Sequence, residues 1–276
     1  MTNTEWLHPL AERLSHVSGV RAVLLGGSRA RGEHTPESDF DLGLYYERPL
    51  EVAALQRLAS DVGGPAARVT KCGEWGPWVD GGGWLSIGGV AVDWIYRDIH
   101  RVGRAWEDAQ RGSFAFHSQV GHPLGVPDFA YAGEVALGVV LADPTGDLTR
   151  IRQETHEYPP LLADALVAGL WEAEFLLEGA RKAVSREDAA YIAGCLFRVV
   201  CLCAHALHGR AGRWVINEKG LVRSAGRLSL APSGFELRAV EVMRAVGSSV
   251  QQLTRALDRA AELAADTAVA CQRGSR

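Results

Sequence analysis

The chain has 276 residues, enough for one large domain or two modest ones, and 47% of them are hydrophobic, as in an ordinary soluble globular protein. Its formal net charge of −4 argues against a general nucleic-acid binder, and Lys71, Lys182 and Lys219 are its only lysines. The five cysteines, Cys72, Cys195, Cys201, Cys203 and Cys271, form no C-x-x-C pair, so a disulfide framework and a Cys/His zinc site are not expected and a reducing cytoplasm is.

The start, "MTNTEWLHPLAERL", carries early charge and no apolar core, so no signal peptide is expected. Apolar residues from Trp6 to Val17 recur at helical spacing and predict an amphipathic helix over 5–17. "GVRAVLLGG" reads as a buried strand ending in glycines, and "SRARGE" as the first turns of a helix with Ser28 as N-cap. After a loop, "DFDLGLYY" alternates as a second strand. Residues 49–63 read as a helix, "ARVTKC" (67–72) as a third strand, and 73–83 as a Gly-rich loop. "WLSIGGVAVDWIYRD" (84–98) predicts a hairpin, and "VALGVVLADPTGDL" (135–148) one more apolar strand ending in a turn.

Beyond residue 150 the patterns turn helical. Residues 159–184 read as one long helix. Residues 185–209 read as another, with Ser185 as N-cap and Gly209 as its stop, and 232–270 as one or two more. The tail "CQRGSR" is expected to fray. Arg198, or Asp143 with Pro144, interrupts the longest apolar runs, so no membrane span is expected. The expectation is an α+β protein, with an α/β domain over 1–150 and an all-α domain over 151–276.

The chemistry concentrates in "GGSRARGEHTPESDFDL", Gly26 to Leu42. A strand running through Gly26 and Gly27 into Ser28 exposes backbone N–H groups that favour a phosphate, and glycine lets the backbone approach it closely. The segment has neither the G-x-G-x-x-G of a dinucleotide-binding turn nor the Gly-Lys-Ser/Thr of a P-loop. Asp39 and Asp41, two apart on a strand, project to one face, where like charges repel unless a cation neutralises them. Hard carboxylate oxygens suit Mg²⁺ or Mn²⁺ bridged to substrate phosphates, although a solvated D-x-D at a strand start is the other reading. Asp93 adds a third carboxylate inside the apolar "VAVDWIY", a setting aspartate avoids unless paired or bound to metal. If the two strands are neighbours, three carboxylates converge opposite the glycine turn, as two-metal phosphoryl or nucleotidyl transfer requires.

With these residues in place, the segment and "VAVDWIY" resemble the nucleotidyltransferase domain of the DNA polymerase β superfamily. "ARG" at 30–32 and "LADPTGDL" at 141–148 resemble its antibiotic-modifying branch, and the resemblance covers the first half of the chain. It implies that Asp39, Asp41 and Asp93 are catalytic and bind the metal. Gly26, Gly27, Ser28 and Arg31 would bind the nucleotide phosphates. The helical domain, by the same resemblance, would line an acceptor cleft, with Lys219 of "WVINEKG" reaching the triphosphate.

Glu172 and Glu174 are candidates for a base facing the acceptor, or simply face water, and Asp80 for a contact to a cationic acceptor. Trp75, Trp78 and Trp84 either stack on a base or sugar or anchor their loop. The function implied is transfer of an NMP, AMP from ATP or from another NTP, to a hydroxyl of a small aminoglycoside-like acceptor, by a cytoplasmic monomer or homodimer. Two other readings stand beside it: modification of a macromolecule (a tRNA end, or a protein in a toxin–antitoxin pair), and a non-catalytic nucleotide-binding module.

Overall fold

The computed structural model describes residues 4–273, in two compact units. The first runs to Asp108 and resumes over Ala115–Glu157; the second comprises Ala109–Phe114 and the chain from Tyr158 onward. The architecture is α+β, with a mixed sheet in the first unit and helices in the second.

The first unit holds α1 (Leu7–Ser15), β1 (Val20–Leu25), the four-residue α2 (Gly27–Ala30), β2 (Phe40–Tyr46), α3 (Val52–Gly63), β3 (Gly82–Ile87) and β4 (Val90–Asp98). It continues through α4 (Ile99–Gln110), β5 (Phe116–Gln119), β6 (His122–Pro127), α5 (Ala130–Leu137), β7 (Val139–Ala142) and α6 (Asp147–Glu154). Five strands form one sheet in the order β3-β4-β2-β1-β7, and β5 pairs with β6. Within the five-stranded sheet β2 and β4 run parallel, and the other pairs are antiparallel.

Alternation decides what each face buries. Val23, Leu25, Leu42, Leu44, Val92, Trp94 and Leu85 pack on one side against Leu10 and Leu14 of α1 and Leu55 and Leu58 of α3. On the other side Ala22, Leu24 and Tyr45 pack against Ile99 and Val102 of α4, Tyr131 and Val135 of α5 and Leu148 of α6. Asp41 and Asp93 belong to this second face, at the end of β2 and β4 that these helices leave partly open.

Several local expectations are corrected. Residues 67–72 form no strand: Val69 N–H donates to Gln56 Oε1 of α3 (3.0 Å), and among the described residues of this segment Thr70 alone is bonded to β3, donating its N–H to Gly82 O (2.8 Å) and accepting from Gly82 N–H at Oγ1 (2.9 Å). A side-chain amide thus takes a donor that a ladder would need. The segment 135–148 is divided, because Val135–Leu137 closes α5 and the strand begins only after Gly138. Helix α4, the β5–β6 hairpin and the first five residues of α5 are additions to the elements expected from sequence. Ser28 lies inside α2, whose N-cap is Gly26.

The second unit contains α7 (Pro160–Ala168), α8 (Trp171–Ala183), α9 (Ala189–Arg210), α10 (Leu221–Gly226), α11 (Phe235–Arg244) and α12 (Val250–Arg273). The pattern over 159–184 is therefore two helices, parted at Gly169, and α10 is an addition. Asp188, not Ser185, caps α9, accepting from Tyr191 N–H (3.1 Å). Gly209 does not stop that helix. It sits within α9 against Leu166 of α7, where an added Cβ would approach Leu166 Cδ1 to 2.8 Å. Helix α9 is long and apolar enough to cross a membrane by length and composition, but 67% of its apolar window is buried among the helices of this unit. Of the tail, residues 274–276 lie outside the described residues; Cys271 and Gln272 belong to α12.

Candidate active site

The site is assembled where β1, β2 and β4 lie side by side. Parallel pairing sets Asp41 directly opposite Asp93, so their side chains share a face, and Asp39, just before β2, joins them by the two-residue period. One carboxylate oxygen from each of Asp39, Asp41 and Asp93 lies within 4.8 Å of the other two, and all three residues are half-buried.

The turn after β1 closes over this cluster. Gly26 N–H donates to Asp41 O (2.8 Å), tying the turn to β2. Gly27 has φ +64°, and an added Cβ would lie 1.7 Å from Asp41 Oδ2, so only glycine fits there. Ser28 follows on the short α2, which is too brief for a strong helix dipole; the polar character of the turn comes from its own N–H groups and the Ser28 hydroxyl. Arg31 pairs with Glu33 (2.9 Å) and is near enough to Asp41 to favour its ionised form.

Electrostatics mark Asp41 as the stressed member. Burial, then the charges of Asp39 and Glu134, push its pKa from the ordinary 3.8 to about 6, against the opposing pull of Arg97 and Arg31. The buried cation Arg97 relieves it only in part, because its Nε donates to Glu134 Oε2 (2.8 Å) in a pair whose side chains are 12% and 14% exposed.

Three contributors escaped the sequence reading. Arg29 Nε donates to Ser38 O (2.9 Å) and Asp39 O (3.0 Å), and its guanidinium lies over the Phe40 ring, 3.8 Å from the centroid. It thereby fixes the bend that presents Asp39. Its signal was present as the arginine directly after the Gly-Gly-Ser turn, but nothing in the sequence shows that it reaches backbone carbonyls ten residues on. The Arg97–Glu134 pair forms the floor beside Asp41. Arg97 shares strand parity with Asp93, and a basic group on that buried face calls for an acid; which acid depends on the placement of α5.

Among the other expected residues, Asp80 is buried in its loop. It is only 3% exposed and accepts from Tyr46 OH (2.6 Å), with Arg101 Nη1 at 3.4 Å, so it anchors its loop rather than meeting an acceptor. Glu172 and Glu174, on α8, and Lys219, in the α9–α10 connection, belong to the second unit. Glu172 is paired with Arg198, contacting it through both carboxylate oxygens. Glu174 and Lys219 are exposed.

Residues 9–67 match the family model described as "Nucleotidyltransferase domain". The matched span holds α1, β1, the glycine turn, Asp39, Asp41 and α3, and it ends before Asp93. The match supports membership of the DNA polymerase β-like superfamily, and with it an enzyme whose general reaction is NMP transfer. No curated protein matches the chain. Among solved structures, a nucleotidyltransferase-like protein from Exiguobacterium sibiricum is similar over 98% of this chain and 76% of its own, with a TM-score of 0.45 and 11% identity.

Proposed function

We propose that this nucleotidyltransferase moves AMP from ATP, with Mg²⁺, to a hydroxyl of a small acceptor of the aminoglycoside kind and releases pyrophosphate. The observation that carries the proposal is the cluster of three carboxylates within 4.8 Å beside a turn that only glycine can make. The donor set fits the metal. Its ligands are hard oxygens, and the charge on Asp41 is only partly compensated by Arg97, which is paired with Glu134, and by Arg31.

A divalent ion bound there supplies neutralisation of the triphosphate charge and a lowered pKa for the attacking hydroxyl. The protein's part is positioning. Asp39, Asp41 and Asp93 hold the ion, with Asp39 fixed by Arg29 and Asp41 by Gly26 N–H. The backbone N–H groups and hydroxyl of the Gly26–Ser28 turn bind the phosphates, with Arg31 alongside. Asp93, farthest across the sheet from that turn, accepts the proton of the acceptor hydroxyl.

The test offers each of four NTPs with Mg²⁺ and a panel of aminoglycosides, read as pyrophosphate release. Turnover that depends on acceptor and falls at least about 100-fold in Asp39→Asn is expected, since charge stabilisation by the metal is worth several kcal/mol. Absence of acceptor-dependent turnover with every NTP removes the small-acceptor reading.

A further inference from the structure

The row of side chains that contains Asp41 and Asp93 does not end at Asp93. On the edge strand β3, Trp84 is the register partner of Asp93, so its indole stands on the same face, one strand farther out. Trp84 is 73% exposed, although a large aromatic on a two-sided sheet ordinarily finds cover. Trp75 stacks on it, with ring centroids 4.8 Å apart and planes 19° from parallel.

The pair is built rather than incidental. Trp75 lies over Gly82, two residues before Trp84, where an added Cβ would come within 3.0 Å of its ring. The loop carrying Trp75 is held by the buried Gln119, whose Nε2 donates to Trp75 O (2.6 Å) and whose Oε1 accepts from Trp78 N–H (2.9 Å) and Val79 N–H (3.0 Å). Trp78, by contrast, is consumed internally, stacked on His117 at 3.7 Å. The three tryptophans of this region therefore have separate tasks, and one rigid indole pair is left facing solvent.

Position decides what it faces. Across the sheet the sequence of features is the glycine turn after β1, Asp41 on β2, Asp93 on β4 and Trp84 on β3, at about 4.8 Å per strand. In-line displacement at phosphorus places the leaving pyrophosphate and the attacking hydroxyl on opposite sides. With phosphates at the glycine turn, the attacking side is the Trp84 side.

We propose that the Trp84–Trp75 pair is the acceptor subsite, and that it selects an acceptor with a flat ring face, of the pyranose or aminocyclitol type, stacked on the Trp84 indole so that a ring hydroxyl points at Asp93. This rests on the nucleotidyl-transfer reading above. Trp84 is a specificity-determining residue, and no covalent step is assigned to it.

The test uses kanamycin A as ring-bearing probe, spermine as a polycation without a ring, and Mg·ATP, each titrated by calorimetry into the full chain and into Trp84→Ala and Trp84→Phe. Because Trp84 is exposed, neither variant removes core packing, and matched melting curves verify this. Kanamycin A affinity is expected to fall roughly 5- to 10-fold in Trp84→Ala and to recover in Trp84→Phe, while spermine and Mg·ATP are unmoved.

The proposal is overturned if kanamycin A does not bind the full chain, if Trp84→Ala binds it as tightly, or if the loss falls on Mg·ATP instead. A change in self-association with unaltered kanamycin A binding also overturns it, because the pair would then cover an edge-to-edge contact. Binding with the expected Trp84 dependence but without pyrophosphate release sinks the proposed reaction and leaves the subsite standing.

Discussion

Replacing Asp41 with asparagine separates what the residue does for stability from what it does for catalysis. In the metal-free protein the Asp41 carboxylate is destabilising when ionised, since its pKa stands at about 6 against an ordinary 3.8. The group is raised, so the penalty is absent below about pH 3.8, grows between the two values and is complete above about pH 6. At about 1.36 kcal/mol per pKa unit the displacement corresponds to about 3 kcal/mol, and screening at a half-buried position reduces it to roughly 1–3 kcal/mol. An asparagine side chain is close in shape and carries no charge. In EDTA at pH 7.5, Asp41→Asn is therefore expected to melt roughly 2–12 °C above wild type, taking about 2–4 °C per kcal/mol for a chain of this size. The gap should narrow to about a third at pH 4.5. Added Mg²⁺ should raise the wild-type midpoint at pH 7.5 and not that of the variant, which is inactive in pyrophosphate release. A variant that melts at or below wild type in EDTA at pH 7.5, or a gap that does not narrow in acid, refutes the electrostatic reasoning.

Gly27→Ala must place a Cβ at φ +64° against Asp41 Oδ2, so activity should drop at least about 100-fold with a stability loss of about 1–3 kcal/mol; near-normal pyrophosphate release would contradict the close approach. Arg29→Lys loses the fork that spans Ser38 O and Asp39 O, and a Mg²⁺ titration of the rate should shift about tenfold to higher concentration; an unchanged metal requirement would separate Arg29 from the metal face. Glu134→Gln leaves Arg97 buried beside an uncharged amide and should cost about 3 kcal/mol in urea unfolding, whereas a loss under about 1 kcal/mol would mean that water reaches the guanidinium.

The acidic face was legible because alternation is local. Asp39 and Asp41 share a side by the two-residue period alone, and an aspartate amid "VAVDWIY" is anomalous wherever the strand lies. What periodicity does not contain is the pairing of β2 with β4, a parallel contact made across α3, a long loop and β3, and this pairing alone sets Asp41 against Asp93. For the same reason Arg29 and Glu134 were invisible as contributors: one bonds to carbonyls around a bend, and the other arrives on α5. Trp75, Trp78 and Trp84 look alike as letters, and only burial distinguishes the indole that stacks on His117 from the one left facing solvent. Asp80 shows the converse, since an acid in a Gly-rich loop reads as exposed until a buried tyrosine hydroxyl is found bonded to it.

The residues that sequence reasoning located most directly are also those whose arrangement is unfavourable in the protein alone. Burial and like charge raise the pKa of Asp41, and a positive-φ glycine is held against its carboxylate. A core optimised for stability would place asparagine or a hydrophobic residue at such a position. Natural chains break local rules mainly where a ligand supplies the missing energy, so the two violations point the same way: toward a cation at the carboxylates and an anion at the turn. Magnesium and the triphosphate form such a pair, and the relief each gives to its half-site makes the binding of one favour the other. Wild-type affinity for ATP should therefore rise with Mg²⁺ concentration, and in Asp41→Asn that dependence should weaken markedly.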